Sequence, residues 1–204
     1  RQYCAAIEAI DDQVGTMLDA LEHRGMLDNT HIVFSSDHGE MLGDFGRLGK
    51  GNFTEQVIRA PYILVPPGIP SRDESHHGEA RMVDSLVEHI DLAPSILDYA
   101  GIPQPGEQPG ISLRPILETP VGNSRPKTKE AILCEYVSND RLERSKCLRT
   151  ERYKYVVAAG STSAEFYDLE RDPQELVNVA RDAAYRDEFL RHAELLLDRL
   201  MTTE

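Results

Sequence analysis

His31-Ile-Val-Phe-Ser-Ser-Asp-His-Gly-Glu40, continued by Met-Leu-Gly-Asp-Phe-Gly-Arg-Leu-Gly-Lys50, decides how the rest of the chain is read. Ile32-Val33-Phe34 is a short run of β-branched and aromatic residues, which predicts a buried strand. The run ends at Ser35-Ser36-Asp37-His38, and Gly39, Gly43, Gly46 and Gly49 then break the chain into a loop. Open α/β sheets place their sites at the carboxyl ends of such strands. A carboxylate and a neutral imidazole suit part of a divalent-cation shell, and Lys50 supplies a mobile positive charge for an anionic oxygen. On residue types alone, the same string fits equally well a turn capped by Asp37, a satisfied loop histidine and a solvated lysine.

Working outward, Gln2 to Arg24 repeats apolar residues at steps of three and four (Ile7, Ile10, Val14, Met17, Leu21), which predicts an amphipathic helix. Gly25 stands where a helix end wants a left-handed residue. A helix feeding a strand is half of a βαβ unit, so a preceding strand is expected outside these residues. Downstream, Tyr62–Val65 reads as a second buried strand, stopped by Pro66-Pro67-Gly68. Between them Asn52 to Arg59 is short and mixed, with Glu55 and Arg59 spaced to pair across one helical turn. His76-His77 falls in a polar stretch and reads as solvated, and Met82 to Glu88 alternates weakly, as a strand would. Asp91 is expected to cap a helix carrying Leu92, Ile96, Leu97 and Ala100, with Pro94 in its first turn and Gly101 beyond its end.

Thr119 to Thr128 is a Pro/Gly-rich connector and the expected boundary between a domain at 1–118 and a smaller one at 129–204. Strand candidates follow at Ala131 to Val137, Lys146 to Arg149, Tyr153 to Ala158 and Glu165 to Tyr167, suggesting a small antiparallel sheet. A last helix, about Ala183 to Met201, puts Phe189, Ala193, Leu196 and Leu200 on one face to pack against it. Cys4, Cys134 and Cys147 make no metal pattern; a Cys134–Cys147 bridge stays open.

The 204 residues are 40% hydrophobic, enough for a core, and carry a formal charge of -13, a poor match for nucleic acid. No apolar run approaches the roughly 20 residues that cross a bilayer. A chain starting at Arg1 without a leader is expected to be a piece of something longer, and its compartment is not legible.

Ser36-Asp37-His38-Gly-Glu-Met-Leu-Gly-Asp44, Gly49-Lys50-Gly51, Glu55 and Ile58-Arg59-Ala60-Pro61 together resemble the second signature region of the sulfatases of the alkaline-phosphatase superfamily. His89 to Gly101, Gly110 to Leu117 and Phe166-Tyr-Asp-Leu-Glu-Arg-Asp-Pro-Gln-Glu175 with Asn178 resemble later parts of the same pattern and read as scaffold. The resemblance implies an α/β sulfatase-like fold: part of the main sheet with flanking helices, and a small C-terminal antiparallel sheet packed by a helix. It implies that Asp37 and His38 are ligands of a divalent cation, usually Ca2+ with Mn2+ as an alternative, and that Lys50 is the catalytic residue contacting the sulfate group. It assigns Glu40 no role. One departure is Phe45, where many relatives carry histidine.

The family's nucleophile is a formylglycine made within a Cys/Ser-x-Pro-x-Arg motif, and these residues contain no such motif. Gly68-Ile-Pro-Ser-Arg72 has glycine in the decisive place and is read as chance. The expected partners are a sulfate ester, small molecule or glycan, and the missing N-terminal half of the same protein. The alternatives are a phosphoester or phosphonate monoester hydrolase of the superfamily, or a non-catalytic sulfatase-like binding module. The 204 residues alone are expected to be inactive.

Overall fold

The computed structural model describes residues 1–67, 82–106, 108–119, 128–140 and 142–203. It is a mixed α/β chain with a two-stranded and a four-stranded sheet. By contacts it divides into two compact units, Arg1–Ser36 with Ala60–Val83, and Asp37–Arg59 with Asp84–Glu204. This is a different cut from the one the 119–128 connector suggests, and most of that connector lies outside the described residues.

In the first unit, helix α1 (Gln2–His23) ends as expected. Gly25 takes φ +63, its N–H donates to the Glu22 carbonyl at 2.8 Å, and Met26 N donates to Leu21 O at 2.9 Å. That pair of bonds is the left-handed close a glycine permits. The apolar stripe is only half covered: Val14 and Leu21 are partly buried, while Ile7, Ile10 and Met17 are more than half exposed. Strand β1 (Ile32–Ser35) pairs antiparallel with β2 (Tyr62–Val65), Ser35 opposite Tyr62. Both strands lie where the sequence puts them, but they are not buried: Val33, Phe34 and Ile63 are exposed. Among the described residues neither has a parallel neighbour, so the βαβ half-unit is not completed here.

The second unit is built on a four-stranded antiparallel sheet, β3 (Ala131–Val137), β4 (Arg144–Thr150), β5 (Tyr153–Ala158) and β6 (Glu165–Asp168), in sequential order. Alternation divides its residues between two faces. Leu148, Tyr155 and Phe166 face helix α5 (Arg186–Thr203), which adds Leu196, Phe189, Ala193 and Leu200. Tyr153 stacks on Phe166 at 5.3 Å, and Phe189 meets Tyr155 and Phe166 edge-on at 5.2 and 5.7 Å, geometries that add to simple burial. The C-terminal turn closes this layer: Asn178 Oδ1 accepts from Phe166 N, and Arg152 grips Asp168 through two hydrogen bonds of 3.0 and 2.8 Å.

Helix α3 (Leu92–Tyr99) repeats the glycine close at Gly101 (φ +68). Asp91, fully buried, precedes it but makes no side-chain capping bond to it, contrary to the expectation, because other donors take its oxygens. Its carboxylate accepts from Glu88 N, from Ile111 N and from Lys129 Nζ, which also pairs with Glu88. Ser95 Oγ accepts from Leu113 N, seating the short helix α4 (Arg114–Glu118). Gly110 is required there, because a Cβ would stand 2.1 Å from the Ile90 carbonyl oxygen. Residues 82–88 are not a strand: Glu88 is drawn into ionic pairing with Lys129 and Arg199 instead of a ladder. Cys134 and Cys147 stand directly opposite in register as free thiols, and burial, with Glu88 nearby, pushes the Cys134 thiol up to about 11. His76-His77 and the 68–72 string lie outside the described residues.

Candidate functional site

The chain reaches Asp37 two residues after β1, and His38 follows. The His38 ring is fixed at one nitrogen: Nδ1 lies 2.7 Å from the Gly39 carbonyl oxygen, so Nδ1 carries the proton and Nε2 presents its lone pair. Asp37 Oδ2 lies 3.3 Å from that Nε2. Lys50 Nζ, twelve residues on, donates to the same nitrogen at 2.5 Å. All three side chains named by the sequence therefore meet at one point. Asp37 is 81% exposed and His38 32%, so the point is open to an incoming group.

Glycines and one acid hold the intervening loop in shape. Gly39 N donates to Val57 O at 2.7 Å, and a Cβ at Gly39 would fall 1.9 Å from the Gln56 carbonyl oxygen, so only glycine permits this approach. Met41, 1% exposed, is the loop's apolar anchor, and its N–H donates to Gly49 O at 3.0 Å. Glu40 Oε1 accepts from Gly49 N and, more weakly, from Leu42 N, drawing the two ends of the loop together. Sequence reasoning gave Glu40 no role. Its only signal was an acid inside a glycine-rich segment, where unpaired backbone N–H groups need acceptors. Asp44–Gly46 is a tight turn, and Phe45, held at φ +54, is half exposed.

Helix α2 (Glu55–Ile58) follows the loop, and here one expectation is corrected. Glu55 turns away from Arg59, because two cations of the sheet reach it: Arg149 Nε at 3.0 Å and Lys154 Nζ at 2.8 Å. Burial pushes the Glu55 carboxyl up, but the hydrogen bonds and charges of Arg149 and Lys154 outweigh it and hold it below its ordinary value. Lys154 was missed as well: a lone lysine in Tyr-Lys-Tyr-Val-Val-Ala158 reads as a solvated strand residue.

Asp37, His38 and Lys50 line one side of a cleft of about 710 Å³, with Tyr136, Cys134 and Ile132 of β3 among its other walls. The Asp37 oxygen and His38 Nε2 fit two positions in the mixed oxygen and nitrogen shell of a divalent cation. No cluster of three or more His, Cys, Asp or Glu suited to a metal occurs among the described residues. A hard cation takes about 6–8 donors, so further ligands would have to come from elsewhere. No helix of the described residues is long and apolar enough to cross a membrane.

Comparison with known proteins gives the same direction. The family model described as Sulfatase matches residues 1–102. An N-acetylglucosamine-6-O-sulfatase of Bacteroides thetaiotaomicron is 32% identical over 189 residues, 91% of this chain and 32% of that protein. The solved structure of a 2-O GAG sulfatase superposes with a TM-score of 0.82 at 29% identity, covering 95% of this chain and 41% of that one. The phosphonate monoester hydrolase of Agrobacterium radiobacter gives 0.80 at 34% identity, covering 94% and 39%. The chain thus spans about a third to two-fifths of the length of the curated relatives and about two-fifths of the solved ones.

Proposed function

This chain belongs to the sulfatase family, and on that premise we propose that it carries part of the active site of a sulfuric ester hydrolase. Asp37 and His38 are two ligands of a divalent cation, Ca2+ or Mn2+, and Lys50 is the catalytic residue that holds the sulfate group. The observation that carries the reading is the convergence of Asp37 Oδ2, His38 Nε2 and Lys50 Nζ on one point. When bound, the cation supplies positive charge against the developing charge on the ester oxygens.

The chain's own residues supply the rest. Gly39 O fixes the His38 tautomer that leaves Nε2 able to ligate. Lys50 at present donates to that nitrogen. With a ligand bound there, its ammonium is free to swing to a sulfate oxygen or to the departing alkoxide, whose charge it offsets. Asp37, exposed and adjacent, adds negative charge that favours a dication at this point. The nucleophile and the remaining ligands are assigned to residues outside the 204, since no Cys/Ser-x-Pro-x-Arg motif lies within them. The 204 residues alone are accordingly expected to be inactive.

A second reading has its own support: the likeness to a phosphonate monoester hydrolase is close to that to a sulfatase, higher in identity and slightly lower in TM-score. The same cation and lysine serve phosphoryl oxygens as well as sulfuryl ones. The two are separated by assaying an aryl sulfate, a phosphate diester and a phosphonate monoester with the product of the complete reading frame that contains these residues. The sulfatase reading predicts the highest kcat/KM on the sulfate, abolished by a chelator and restored by Ca2+ or Mn2+. A clear preference for the phosphonate would transfer the assignment, and turnover indifferent to chelation would remove the cation role from Asp37 and His38.

A further inference from the structure

We propose that Lys154 and Glu175, on the sheet face opposite α5, are positioning residues that clamp α2 and, through it, both halves of the Asp37–His38–Lys50 cluster. Lys154 is fully buried, yet all three protons of its ammonium are used. They reach Phe53 O at 2.8 Å, Glu55 Oε1 at 2.8 Å and Glu175 Oε1 at 2.5 Å. The second oxygen of Glu175 accepts from Glu55 N at 2.8 Å, and Arg149 closes the charge balance on Glu55. Two cations thus face two carboxylates.

Burying such a group gives no stability that packed apolar side chains of the same size would not give. What it gives is direction. The contacts to this segment end on particular atoms, Phe53 O, Glu55 N and the Glu55 carboxylate, so the segment cannot slide without leaving a buried charge unpaired. Glu175 holds φ +58, an uncommon backbone state for a residue with a side chain, kept where its surroundings fix it.

From this fixed segment the constraint runs two ways. On the N-terminal side Phe53 is three residues from Lys50, and Gly51 between them holds φ +104, where a Cβ would come within 3.5 Å of the Tyr136 ring. On the C-terminal side Val57 O receives the Gly39 N–H, adjoining His38. Lys50 and His38, twelve residues apart in sequence, therefore both hang from the clamped segment that runs from Phe53 into α2. Nothing in the chemistry of the cluster requires Lys154 to touch a substrate.

That the cluster handles a sulfate rests on the reading given under Proposed function; the clamp itself does not. The test is hydrogen–deuterium exchange on the product of the complete reading frame, with Lys154→Met and Glu175→Gln beside the unaltered protein. In Lys154→Met, peptides covering 39–58 are expected to exchange at least about tenfold faster while β4, β5 and α5 keep their rates, a local opening. On a sulfate ester the same variant is expected to lose about 10- to 100-fold in kcat with KM little changed, as displaced catalytic groups do. Should Lys154→Met not fold, Glu175→Gln, equal in size and still an acceptor, gives the same readout with a smaller change. Unchanged exchange at 39–58, or equal acceleration throughout, overturns the clamp. An unaltered protein without sulfate ester hydrolysis would instead remove the reading of the site and leave the exchange result standing.

Discussion

The two faces of the β3–β6 sheet are held by opposite kinds of force. Toward α5 the contacts are aromatic and aliphatic, with Phe166 fully buried among Tyr153, Tyr155 and Phe189. Toward residues 37–59 the central contact is an equally buried lysine with two carboxylates. Apolar burial is non-directional and scales with area, so the first face stabilises the unit without caring greatly about registry. The ionic face contributes little net stability but restricts which atoms can meet. A fold needs the first; a site that must hold an imidazole and an ammonium within one hydrogen bond needs the second.

The largest expected effect breaks the apolar face. Phe166→Ala removes a fully buried ring and should cost about 3–5 kcal/mol, read as a lower midpoint in denaturant unfolding at unchanged slope. If the loss were below about 1 kcal/mol, the aromatic layer would not be what holds this unit together.

Acid sharpens the contrast with a smaller effect. His192 belongs to the aromatic face, fully buried, with Nδ1 against Glu188 O at 2.7 Å and Nε2 against Thr150 Oγ1 at 3.1 Å. Burial is the main cause that pushes its pKa below the ordinary 6.5. Glu55, on the ionic face, is held below its ordinary 4.5. Both groups bind protons more readily in the unfolded chain, so both contribute stability that is present above the ordinary value and is lost as pH falls toward the native one. Thermal midpoints should begin to decline below pH 6.5, from His192, with a further decline below pH 4.5. In His192→Gln the first decline should vanish and the second remain. A midpoint flat from pH 7 to 5 would contradict the assignment of a buried neutral imidazole.

Much of this was legible from residues alone. The period of Ile7 to Leu21, the glycines after α1 and α3, and the alternation in 131–167 located elements because local chemistry decides them. The strand expected at 82–88 failed because Glu88 answers to Lys129 and Arg199, partners at least 41 positions away that no local pattern reports. Asp37, His38 and Lys50 could be named because the string around them resembles a family signature; on residue types alone a capped turn, a loop histidine and a solvated lysine fitted equally well. Lys154 and Glu175 could not: they reach Glu55 across 99 and 120 positions, and a lysine in a strand ordinarily reads as a solvated edge. Likewise Glu55 chose distant cations over Arg59, which the helical spacing had offered it.

Asp37 tests the proposed cation site most directly. Turnover of an aryl sulfate by the product of the complete reading frame should fall at least about 100-fold in Asp37→Asn, the upper end of what losing even a ligand's supporting partner costs. Added Ca2+ or Mn2+ should recover part of it, while Asp44→Asn, seven residues away in a surface turn, should leave it unchanged. Equal turnover in Asp37→Asn and the unaltered protein, with or without chelator, would contradict it.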